Sequence, residues 1–106
     1  MRLRFWEWWP WWSWRVVGVV EAADDVPGRL PPRAAVLVGD RKTPKWLSFD
    51  CPCRNNHRIL VNLDERRRPV WRLAHGRKLS ISPSIDALGP VGRCHFFITS
   101  GRVKWV

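Results

Sequence analysis

Acidic residues are scarce in this 106-residue chain: nine Asp and Glu stand against 19 Lys and Arg, a formal charge of +10. Such an excess favours an acidic partner, a nucleic acid or an anionic lipid surface, and carries no information about the fold. The charge is spread along the chain, and its one dense cluster, Arg66, Arg67 and Arg68, reads as solvated loop. Cysteine is scarce too. Cys51, Cys53 and Cys94 are an odd number for a disulfide framework, so the expected compartment is the reducing cytoplasm. A spanning helix needs about 20 apolar residues and a secretory signal needs an aliphatic run with a small-residue cleavage site, and the sequence offers neither pattern. Neither a G-x-G-x-x-G nor a G-x-x-x-x-G-K-[ST] phosphate loop occurs, which removes kinase and dehydrogenase readings. No internal repeat is visible, and the length fits one compact domain with a single core.

Tryptophan is what the chain has in excess. Trp6, Trp8, Trp9, Trp11, Trp12 and Trp14 crowd the opening together with Arg2, Arg4 and Arg15, and Pro10 interrupts them. Residues 1–14 are therefore set apart as a Trp- and Arg-rich N-terminal segment preceding a domain over 15–106. Indole rings favour the headgroup level of a bilayer, and arginines add attraction to anionic lipid, which implies peripheral contact with the inner face of the membrane. Large amphipathic rings equally suit a protein interface, so an aromatic plug packed on the domain is the competing reading.

The body alternates short β-branched or aromatic runs with Pro, Gly and Asp punctuation. Strands are expected at 15–20, 34–38, 45–49, 58–63, 70–74, 78–81, 95–99 and 103–106. This predicts an all-β or β-rich α+β domain of short antiparallel strands, arranged as a barrel or a sandwich. Ser100, Gly101 and Arg102 read as a tight hairpin turn, and Gly76 marks another turn. Residues 21–33 read as loop, with room for one helical turn at 21–25.

Few residues offer chemistry. Cys51-Pro52-Cys53 is a C-x-C that Cys94 and either His57 or His95 can complete into a zinc site, but the spacing lacks a paired knuckle. Packed, unligated thiols are the favoured reading, and no metal or other cofactor is expected. His95 opens the apolar run His95-Phe96-Phe97-Ile98, where an imidazole can serve as a general base. Ser84 follows Pro83 at the end of a strand, and a Gly- and Pro-containing loop over 86–92 leads from it toward His95. A serine needs an adjacent base to act as nucleophile, and histidine is the usual one. Cys94 is a rival nucleophile, but its place beside His95 in an extended strand turns it to the opposite face. Structural roles, a turn serine and a histidine satisfied by the backbone, stand as the bland alternative.

An ordered series of short segments carries a resemblance over about residues 30–106. It runs through Leu30-Pro31-Pro32, Pro44-Lys45-Trp46, Cys51-Pro52-Cys53, Arg68-Pro69-Val70-Trp71, Pro83-Ser84-Ile85, His95-Phe96-Phe97-Ile98 and Gly101-Arg102-Val103-Lys104-Trp105. The chain resembles a small bacterial family of ubiquitination-like (Bub) operons, whose members are similar to serine peptidases with a Ser–His dyad. By that resemblance Ser84 is the nucleophile and His95 the general base, and the partner is a ubiquitin-like protein or its conjugates. The family pattern reads C-P-C-G-C-G and G-C-R-S-H where this chain places Asn55 and Gly92, so a metal site built on the family's four cysteines would be incomplete here.

Two further roles stay open at this point. Asp50 and Asp86 are both candidates for a carboxylate orienting the imidazole, and backbone N–H groups over 86–93 are the expected oxyanion donors. The alternative to a peptidase is a noncatalytic module in which Arg66, Arg67, Arg68 and Trp71 grip nucleic acid or an operon partner, although no specific nucleic acid is expected.

Overall fold

In the computed structural model, residues 13–53, 57–90 and 92–106 are described. Eight strands form among them: β1 (Arg15–Val20), β2 (Ala34–Gly39), β3 (Pro44–Asp50), β4 (Arg58–Asn62), β5 (Arg72–His75), β6 (Leu79–Gly89), β7 (Gly92–Thr99) and β8 (Arg102–Trp105). Each overlaps a run anticipated from composition, although β6 extends well past the expected 78–81 and β7 begins before the expected 95–99, and a 3-10 turn, Ala23–Asp25, occupies the loop between β1 and β2. The strands make two four-stranded sheets, ordered β1-β2-β3-β4 and β5-β6-β7-β8. Pairing is antiparallel except between β1 and β2.

The two sheets pack face to face as a sandwich. Leu37, Leu47, Phe49 and Val61 of the first share one core with Leu79, Ile81, Ile85, Phe96 and Ile98 of the second. Edge-on contact of Phe49 with Phe96, ring centroids 6.3 Å apart, joins the layers at the centre. The first sheet is covered on its other face as well, where Val36 and Val38 pack with Leu30 and Val26 of the 21–33 loop. This double burial explains why β2 is a continuous apolar run, Ala-Ala-Val-Leu-Val, without alternation. The second sheet alternates instead: Cys94, Phe96 and Ile98 face the core, while His95, Phe97 and Thr99 face outward.

Of the Trp-rich opening, residues 1–12 lie outside the described residues. Trp14 belongs to the core: it is buried edge-on against Phe49, centroids 5.4 Å apart. Its amide donates to the Gly101 carbonyl (2.7 Å), and its own carbonyl accepts from Leu79 N–H (3.0 Å). The plug reading therefore holds for this one indole, which is not free to meet lipid. Among the described residues no helix is long and apolar enough to cross a membrane.

Ser100 and Gly101 make the two-residue turn between β7 and β8, with φ of 49° and 78°. Positive φ at both central residues is what a type I′ hairpin requires. A Cβ on Gly101 would stand 2.8 Å from Ser13 Cβ and 3.2 Å from the Trp14 carbonyl. Gly101→Ala is expected to destabilise the domain by about 1–3 kcal/mol, through backbone strain and displacement of Trp14. Equilibrium urea unfolding checks this, and an unchanged midpoint would contradict the described seat of Trp14.

Candidate active site

Ser84 and His95 come from adjacent strands of the second sheet. β6 is irregular where it carries Ser84. Ile81 pairs with Ile98 and Ile85 with Phe96, so four residue steps of β6 are matched by two of β7. Two extra residues thus bulge β6 between Ile81 and Ile85, and both isoleucines still point inward. Ser82, Pro83 and Ser84 occupy the bulge; proline, with no N–H to donate, is tolerated in a sheet at such a place. The expected end of the strand at Pro83 and the loop over 86–92 are corrected here. β6 continues to Gly89 and turns directly into β7, because Ile85 and Ala87 restore the inward alternation after the bulge.

Ser84, at the end of the bulge and just before the inward Ile85, lies on the outer face beside His95, and Asp86 takes the register position opposite the ring. Ser84 Oγ lies 2.8 Å from His95 Nε2, both side chains half-buried. In the tautomer carrying the proton on Nδ1, the hydroxyl donates to Nε2, the arrangement in which an imidazole can take the proton as oxygen attacks. The His95 strand is held at its far side, where Val106 N–H donates to the His95 carbonyl (3.0 Å). Cys94 points into the core, as alternation requires, and is no rival for the outer face.

Of the two carboxylates, Asp50 and Asp86, only one is near. Asp50 sits on β3 of the other sheet, where it accepts from Arg58 Nε (2.7 Å) and from Leu30 N–H (3.4 Å). Arg58 also donates to the Pro27 and Gly28 carbonyls, so this ion pair fastens the 21–33 loop. Asp86 stands directly opposite His95 in the β6–β7 register and pairs with Arg93 at 3.2 Å. Among the described residues no carboxylate hydrogen-bonds to His95.

The remaining outward side chains around the pair are basic or apolar. Arg93 and Phe97 share the β7 face with His95, Lys104 lies opposite Phe97, and Leu88 and Phe97 are 83% and 41% exposed. Residues 86–89 and 92–93 are paired in the hairpin, so the loop expected to supply oxyanion donors is a ladder instead. Past Ser82, where pairing with β5 ends, β6 is paired on one side only among the described residues.

Two other groups of sequence-selected residues are resolved. Trp71 packs against the main core with its indole Nε1 buried and without a partner among the described residues, and Arg66 folds back on Asp64 at 3.1 Å. Arg66, Arg67 and Arg68 are exposed, while Trp71 is half-buried. Cys51, Cys53, His57 and Cys94 converge, their ligand atoms all within 4.8 Å of one another. Burial, reinforced by the neighbouring thiols, pushes the Cys51 thiol up to about 12 and raises that of Cys94. The sequence offers these residues as one candidate set, with His95 as the alternative to His57, and the structure brings His57 to the thiols; the bulge beside Ser84 has no sequence signal beyond Pro83.

The chain was compared with known proteins. The family model described as bacterial ubiquitination-like system serine protease (BubE) matches residues 22–106. No curated protein and no solved structure matches. The matched stretch takes in β2 to β8 and both side chains of the Ser84–His95 pair. The chain therefore belongs to the BubE family of serine proteases of bacterial ubiquitination-like systems.

Proposed function

We propose that Ser84 is the nucleophile and His95 the general base of a peptidase that trims the precursor tail of a ubiquitin-like modifier or removes the modifier from its conjugates. The observation that carries this reading is the 2.8 Å contact between Ser84 Oγ and His95 Nε2 on a solvent-facing sheet surface. Oγ attacks the scissile carbonyl as Nε2 takes its proton. The imidazolium returns that proton to the leaving amine, and water, deprotonated by His95, hydrolyses the acyl-serine. The Ser84 amide, in the stretch of β6 that lacks a register partner on β7, is the main-chain donor we assign to the oxyanion.

The surroundings suit a flexible tail better than a small molecule. The pair lies on an open face, and the one-sided stretch of β6 past Ser82 offers an edge along which an extended peptide can lie, with affinity from main-chain hydrogen bonds. Arg93 and Lys104 add attraction for acidic residues, and Phe97 and Leu88 for apolar ones. Asp86, opposite His95 in the register, is the carboxylate we assign to orient the imidazole, exchanging its contact with Arg93 for one with the ring.

Ser84→Ala and His95→Ala are each expected to lower cleavage of the modifier precursor by at least about 10³-fold, and the double variant to be little worse, because the two act as a unit. Electrophoretic assay with the cognate modifier measures this; wild-type cleavage by either single variant would refute the dyad. Asp86→Asn is expected to lower kcat/KM roughly tenfold or more by weakening imidazole orientation, with Asp50→Asn leaving it unchanged. Equal effects of the two asparagine variants would remove Asp86 from the site.

A further inference from the structure

Cys51, Cys53, His57 and Cys94 reach one point from three places in the chain. Cys51 directly follows β3, and its amide donates to the His57 carbonyl (2.9 Å), closing the turn toward β4. Cys53 lies in that turn, His57 precedes β4, and Cys94 comes from β7 in the opposite sheet. His57 Nε2 is 3.1 Å from Cys53 Sγ and 3.7 Å from Cys94 Sγ. Ligands on a tetrahedral zinc with bonds of about 2.3 Å stand about 3.7 Å apart, the spacing this cluster approaches. The imidazole is seated by Gly89, where a Cβ would fall 2.9 Å from Nε2. Thiols packed merely as small hydrophobes would need no ring nitrogen turned toward their sulfurs.

We infer that these four side chains form a closed Cys₃His site for a structural zinc ion. Three sulfurs and one nitrogen are the soft donor set that favours zinc, and four protein ligands leave no open position for catalysis. Binding deprotonates the three thiols, so three protons leave as the ion enters and the loaded site carries one negative charge. The ion ties the β3–β4 corner of one sheet to β7 of the other, at the residue next to His95 but on the opposite face of the strand. The expectation of unligated cysteines is thereby replaced: His57 supplies the fourth ligand that the three cysteines lack.

The test is independent of any protease assay. Full-length protein, reduced and anaerobic, is titrated with Co(II), and zinc is measured in protein purified from zinc-supplemented culture. The expected result is one metal per chain, tetrahedral Co(II) absorption with thiolate-to-cobalt charge transfer, and displacement of cobalt by zinc. His57→Cys retains the metal with added charge-transfer intensity, whereas His57→Ala and Cys94→Ser weaken binding at least about tenfold. Should Cys94→Ser fail to fold, the wild-type spectrum and the two His57 variants decide alone. Metal-free protein that yields no tetrahedral Co(II) spectrum, or wild-type affinity in His57→Ala, overturns the site.

Discussion

The two additional residues that β6 carries against β7 are the constraint on which the outer face depends. An unbulged ladder running on from Ile81 and Ile98 would have set Pro83 opposite Phe96 in the core and Ser84 directly opposite His95; the two extra residues turn Pro83 outward and bring Asp86 to the register position opposite the ring, with Ser84 beside it. Because the excess is an even number, Ile85 and Ala87 return to the core while the bulged residues swing outward. The cost of the interruption is met by the core beneath it, where Ile81, Ile85, Phe96 and Ile98 are buried together. A hydroxyl on a distorted strand is thus held against a ring on a regular one, and the distance between them is set by main-chain geometry rather than by long side chains.

The strands themselves were legible in the sequence because β-branched and aromatic runs between Gly, Pro and Asp report local backbone preference directly. What was not legible was pairing. Ser82-Pro83-Ser84 looks like a strand end when read alone, since proline and serine are poor strand residues. Only the partner strand, with Phe96 taking up Ile85, converts it into a bulge within a longer element. The same limit applied to the carboxylates: Asp50 and Asp86 are equivalent as letters and are separated by the sheets that carry them. His57 illustrates it again, for its distance from Cys94 along the chain hides a separation of 3.7 Å in space.

Cys94 and His95 connect the two halves of this picture. Neighbours in an extended strand point to opposite faces, so β7 presents the thiol to the inter-sheet cluster and the imidazole to the outer surface. A metal ion at the first position would fix the strand's position relative to the β3–β4 corner, and with it the ring at the second. The arrangement would let a small domain, whose core is limited by its surface-to-volume ratio, hold a reactive pair steadily on an exposed sheet.

The most direct measurement is the mass of the intact protein, followed by peptide mapping, after treatment with a fluorophosphonate that phosphonylates activated serines. One adduct per chain located on Ser84, absent from both Ser84→Ala and His95→Ala, is the result expected of a nucleophile activated by its neighbour. An adduct on any other serine, or labelling of Ser84 that persists undiminished without His95, would contradict it.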